Sequence, residues 1–257
     1  MNVNLSPVID LQVTHQANLT DLHSLINERA ISADPTIVAQ VALWPDFREI
    51  WISTLKHFPG LGSISADTHY FTADLDTLLT TLEKQDWVPF KYVLKKLDIF
   101  MMLSHVKLTR LDSKQPVSLS YSVVQQLLRK QWQHDGILIT DDFNMRPIYT
   151  NGIGSVVVTA LNAGVDLILL SYDGAQYYRA MDALLQTTYL DLSPLRKSQL
   201  RLEKLSQRLI CFNPSCIGYR SQSGDSGVNN RLADLRIICM LYIFYYIKCI
   251  FHIIYHQ

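Results

Sequence analysis

The first 210 residues of this 257-residue chain contain no cysteine; all four cysteines (Cys211, Cys216, Cys239, Cys249) come later. A disulfide framework and a CxxC pair are therefore excluded from the body of the chain. A reduced, cytoplasmic setting is the expectation. An excess of one charge is missing too, since 23 basic side chains meet 23 acidic ones and no basic stripe occurs. That argues against a nucleic-acid partner held by bulk electrostatics. No GxGxxG loop follows an apolar run, which leaves a dinucleotide fold without support, and no HxH or HExxH spacing marks a zinc site. The opening MNVNLSPVID has neither a positive n-region nor a long apolar h-region, so no export signal is read there.

What is present is globular in profile: 48% hydrophobic and 18% charged residues, enough chain for one large α/β domain or two smaller ones. Apolar runs alternate with helical spacings. Residues 3–11, ISTLKHF, DIFMMLSHV, GILIT and VDLILLSYD read as strands. Between them, leucines at 19, 22 and 25 and the stretch SYSVVQQLLRKQW have helical spacing. Asp34-Pro35 reads as an N-cap with proline at the first helical position, opening a helix that buries Ile37, Val38 and Val41. Pro45 interrupts it, and Phe47, Ile50 and Trp51 continue the stripe. Pro89 reads as a breaker, Gly164 as a helix stop, and 176–185 as a further helix. Continuous apolar strands are buried on both faces. Their alternation with helices predicts a parallel sheet, as a barrel or an open doubly wound sheet.

Polar groups sit just past the apolar part of most strands: Asp10, Lys56-His57, Ser104-His105, Asp141-Asp142, Ser171 and Asp173. In a (β/α) barrel the reacting groups come from the C-terminal strand ends, although any one of these residues taken alone reads more readily as a turn or cap. Two chemistries fit. One is metal-dependent hydrolysis, with His57, His69, His105 and Asp141 as ligands; Lys56 beside His57 would repel the cation. The other is glycoside hydrolysis, which needs an anionic group on one face of the sugar and a proton donor on the other. Asp141 suits the first role. His69 suits the second, because an imidazole can donate and accept near neutrality when a carboxylate such as Asp67 holds its tautomer.

The stretch KHFPGLGSISADTH resembles the KHFPGHG…DSH signature of glycoside hydrolase family 3, in its β-N-acetylhexosaminidase branch. SPVIDL and ERAISADP precede it, and SHV, PVSLS, DGILITDDFNM and ALNAGVDLILL follow it in the family's order. The resemblance covers residues 1–190 and implies a TIM-type (β/α) barrel, a retaining exo-acting mechanism and no cofactor. It implies Asp141 as nucleophile, His69 as acid/base and Asp67 as the residue that orients it. Arg29, Lys56 and His57 match residues that hold the sugar. His105 lines the pocket floor or packs at the strand end. The implied substrate is a terminal β-linked N-acetylglucosamine, in a saccharide or muropeptide.

Two departures stand out. Leu61 replaces the histidine of PGHG, from which a changed loop packing is expected. The family's first two barrel strands, with their DxEGG-type segment, are not recognisable, so an incomplete barrel is expected over residues 1–210. Residues 211–235 then read as a linker. The apolar tail 236–257 reads as non-native or, if genuine, as a membrane contact. The alternatives are an inactive remnant or sugar-binding pseudoenzyme, the metal hydrolase, and a β-glucosidase of the same family, against which the His69–Asp67 pair argues.

Overall fold

Uninterrupted apolar runs form strands that are buried along their length, as the four residues of Phe100–Leu103 illustrate. The computed structural model describes residues 3–5, 8–11, 30–43, 52–62, 64, 73–96, 99–149 and 152–212. In chain order the strands are β1 (Val3–Asn4), β2 (Ile52–Phe58), β3 (Asp74–Leu75), β4 (Phe100–Leu103), β5 (Lys107–Leu108), β6 (Leu138–Asp142) and β7 (Leu167–Leu169). Five of them form one all-parallel sheet in the order β1-β2-β4-β6-β7. The short strands β3 and β5 pair separately, also in parallel. Among the described residues the large sheet is an open arc, with β1 and β7 as its edges.

The helices are α1 (Pro35–Val41), α2 (Leu79–Lys84), α3 (Trp87–Leu94), α4 (Ser122–Gln131), α5 (Arg146–Tyr149), α6 (Ile153–Ala163), α7 (Gly174–Gln186) and α8 (Leu192–Phe212). The start of α1 matches its sequence signature: an Asp34 carboxylate oxygen accepts from Thr36 N–H at 2.7 Å and Ile37 N–H at 3.4 Å. The buried face is narrower than expected, because Val38 and Ala39 are buried while Ile37 is 47% exposed. α4 is wound wide, and Trp132 N–H closes it on the carbonyl five residues back, Leu127. α6 ends at Gly164, whose φ of +95° is left-handed.

Pro89 does not break a helix. It sits in the first turn of α3, where a missing N–H leaves no intrahelical bond unmade. The break lies at Gln85–Asp86, between α2 and α3. α8 and the β3–β5 pair were not legible in the sequence. The helix through the 19–25 leucine spacing, the 47–51 stripe and the tail after Phe212 lie outside the described residues. Among the described residues no helix is long and apolar enough to cross a membrane.

The sheet separates two cores. Met101, Leu103, Leu138 and Ile168 pack with α3, α4 and α6 in the larger one. The alternate residues Phe100, Met102, Ile139, Leu167 and Leu169 form the second, closed by Leu202 and Leu205 of α8. α8 is also anchored by charge. The fully buried Asp166 carboxylate accepts from Arg129 at 2.6 Å, Arg201 at 2.8 Å and the Leu138 amide at 2.8 Å. Ser198 donates at 2.5 Å to Oδ1, the oxygen that Arg201 also contacts. This cluster sits at the N-terminal ends of β6 and β7, which leaves the C-terminal ends for other polar groups.

Candidate active site

Three strand ends converge on Asp141. Asp10 follows the short parallel bridge of Val8 to Lys56 and is fully buried. An isolated buried carboxylate is costly, and here three donors satisfy it. His57 N–H lies 3.2 Å from its Oδ1, Leu61 N–H donates to Oδ1 at 2.9 Å, and His57 Nδ1–H donates to Oδ2 at 2.8 Å. A carboxylate only accepts, so the proton of this last bond resides on Nδ1. The ring is thereby turned so that Nε2 faces Asp141 Oδ2 at 4.0 Å. The peptide bonds Lys56–His57 and Phe58–Pro59 are both cis.

Asp141 is the penultimate residue of β6, with its side chain 19% exposed. Its Oδ1 accepts from the Asp142 amide at 2.9 Å. Burial works to raise its pKa, but His57, His105, that amide and Lys56 together outweigh burial and hold the carboxyl below its ordinary value. The group is therefore an anion throughout the neutral range. Asp142 plays a different part. Its carboxylate accepts from the Asn144 amide at 3.0 Å, the Ser171 amide at 3.1 Å and the Ser171 hydroxyl, which ties the end of β6 to the end of β7.

His105 is 2% exposed at the end of β4. Its Nε2–H donates to the Asp142 carbonyl at 3.0 Å, and its Nδ1 lies 2.8 Å from Ser118 Oγ. Burial pushes its pKa down, against the pull of Asp141 and Asp142. A neutral ring with Nε2 protonated then accepts the Ser118 hydroxyl at Nδ1. Both nitrogens are engaged, so His105 has no lone pair for a metal, and the ligand set His57, His69, His105 and Asp141 loses a member.

Of the residues singled out in the sequence, Lys56, His57 and Asp141 come together, with Lys56 close enough for its charge to act on Asp141. Arg29, Asp67 and His69 lie outside the described residues. Leu61 contributes its amide to Asp10 while its side chain joins the large core. Asp10 was recognisable only as a polar strand end. Its role as the anchor of His57 rests on a contact across 47 residues, which no local pattern encodes. Ser118 lies in the PVSLS stretch, but its pairing with His105 was not evident.

The profile of the glycosyl hydrolase family 3 N terminal domain matches residues 1–205. The chain belongs to that family. Among curated relatives, a beta-hexosaminidase of Idiomarina loihiensis is 32% identical over 192 residues, 73% of this chain and 55% of the relative. Beta-hexosaminidase A of Pseudoalteromonas piscicida is 28% identical over 235 residues, 81% of this chain and 38% of the relative. Among solved structures, a glycoside hydrolase family 3 beta-N-acetylglucosaminidase from Paenibacillus sp. str. FPU-7 superposes with a TM-score of 0.74 at 26% identity, covering 94% of this chain and 45% of that one. The beta-N-acetylglucosaminidase from Thermotoga maritima gives 0.65 at 27% identity, covering 79% and 43%. The family 3 chain thus spans about half the length of the first relatives it matches. Its fold is of the TIM-barrel α/β type, seen among the described residues as an unclosed arc of strands, with Asp10, His57, His105 and Asp141 at or just past the C-terminal ends of the paired segments.

Proposed function

We propose that this family 3 chain carries the hydrolytic centre of a retaining, exo-acting β-N-acetylglucosaminidase. The observation that carries the reading is an anionic, partly accessible Asp141 at a buried strand end, with His57 aimed at it by Asp10. Asp141 attacks the anomeric carbon and the glycosidic bond breaks. His69, oriented by Asp67, gives its proton to the leaving oxygen. Water then attacks the glycosyl ester, returning a proton to His69 and freeing Asp141. Lys56, His57 and Arg29 hold the sugar's hydroxyls and carboxamide. The names of the relatives support an N-acetylhexosamine as the glycone. A muropeptide, met in the cytoplasm during cell-wall recycling, is the substrate source we favour.

A second reading, sugar binding without turnover, is favoured by the sheet's two open edges among the described residues. Hydrolysis of 4-nitrophenyl N-acetyl-β-glucosaminide separates the readings. Turnover that survives EDTA and disappears in Asp141→Asn supports the glycosidase. A folded, monodisperse sample that binds N-acetylglucosamine but releases no nitrophenol supports the second reading.

A further inference from the structure

Asp86 is a buried titratable group that the proposed mechanism does not use. It precedes α3 and is 4% exposed, yet its side chain does not cap that helix. Among the described residues the group that hydrogen-bonds its carboxyl is its own amide. Burying a carboxyl costs stability unless its partners compensate it. A position serving packing alone would be better filled by an apolar side chain.

What Asp86 touches is the turn after β2. A Cβ placed on Gly60 would lie 2.8 Å from Asp86 Cβ and 2.9 Å from its Oδ1, so the carboxyl packs directly on the Gly60 backbone. Gly60 itself holds a left-handed φ of +102°. The neighbouring Trp87 secures the same turn: its Nε1–H donates to the Pro59 carbonyl at 3.1 Å and its ring stacks on Phe58 at 6.0 Å. The turn then closes on the site. Gly60 N–H donates to the His57 carbonyl at 2.8 Å, and Leu61 N–H donates to Asp10 at 2.9 Å.

We propose that Asp86 is a positioning residue: packed against Gly60, it sets the Pro59–Gly60 turn and, through it, the Asp10–His57 pair that faces Asp141. The proposal rests on the glycosidase reading for its kinetic consequences alone. Burial, countered by its own amide and reinforced by the charge of Asp10, pushes the Asp86 carboxyl up to about 6. Above that pH two carboxylates repel across the turn; below it Asp86 is neutral and the repulsion is gone. The alignment of His57 is therefore expected to vary with pH within the range in which a histidine-assisted hydrolase operates.

The test compares the full chain with Asp86→Ala, Asp86→Asn and Trp87→Phe. Two readouts are used: solvent exchange of the His57 Nδ1 proton by NMR, and hydrolysis of 4-nitrophenyl N-acetyl-β-glucosaminide across pH. In Asp86→Ala the His57 proton exchanges about tenfold faster and kcat falls about tenfold, with a smaller change in KM. Trp87→Phe moves both in the same direction. Asp86→Asn abolishes the change in exchange of the His57 proton that the parent shows near pH 6. Asp86→Ala that lowers the unfolding temperature but leaves the His57 proton and kcat unchanged overturns the proposal. If Asp86→Ala does not fold, Asp86→Asn decides by the same proton: an unaltered pH dependence of its exchange sinks the idea. A parent chain without turnover counts against the glycosidase reading, and the His57 measurement still judges Asp86.

Discussion

His57 Nε2 lies 4.0 Å from Asp141 Oδ2, and the ring is held in that direction by a 2.8 Å bond from its other nitrogen to Asp10. The gap is too wide for a direct hydrogen bond. It leaves room for both side chains to address a third group, such as a hydroxyl of a bound sugar. Removing Asp10 should therefore harm orientation and stability together. Asp10→Ala strands three buried donors, and unfolding in urea should show a loss of about 3 kcal/mol, with substrate affinity reduced as well.

Asp141→Asn keeps the shape of the strand end and removes the anion. The expected loss in kcat is about 10³-fold or more, at an unfolding temperature near that of the parent. Equal activity in parent and variant would remove Asp141 from the reaction.

Stability should fall as the solution is acidified below neutrality. His105 is held neutral by burial, and His134, half-buried and beside Arg129, has its pKa lowered to about 4. Below pH 6.5 the unfolded chain takes up protons that these folded rings refuse, so both contributions shrink as pH drops below 6.5, that of His134 down to about 4. Asp86 acts in the opposite sense, because its folded pKa of about 6 lies above its ordinary 3.8. It binds a proton more tightly in the fold and returns stability between those two values. With two groups against one, urea midpoints should decline from pH 7 to 5, and His134→Phe should flatten the decline.

The anchor of α8 is open to an independent test. Asp166→Ala leaves Arg129 and Arg201 buried without their shared carboxylate, a change expected to cost about 3–5 kcal/mol. Asp141 is remote from this cluster, at the other end of β6, so the variant should bind N-acetylglucosamine normally at temperatures where it stays folded.

Parts of this architecture are readable from local chemistry. Asp34-Pro35 announces α1, Gly164 ends α6, and the unbroken FMML run gives a strand buried on both faces. Local rules fail where long-range packing decides. Pro89 looks like a breaker until its place in the first turn of α3 is known, and Ile37 looks like core until the helix is docked. α8 is polar over most of its surface, and its burial hinges on Arg201, Leu202 and Leu205 meeting the ends and inner face of distant strands. At the site, Asp141, His57 and Lys56 were legible because polar residues ending apolar strands are a one-dimensional signal. The Asp10–His57 and His105–Ser118 bonds join separate strands and loops, which a linear reading cannot pair.

The Arg129–Asp166–Arg201 clamp gathers much of the sheet's cohesion at the end opposite Asp141. Residues around Asp141 are thus largely excused from holding the molecule together. A lineage could exchange loops and side chains at the mouth, acquiring new glycones, while the floor beneath stays intact.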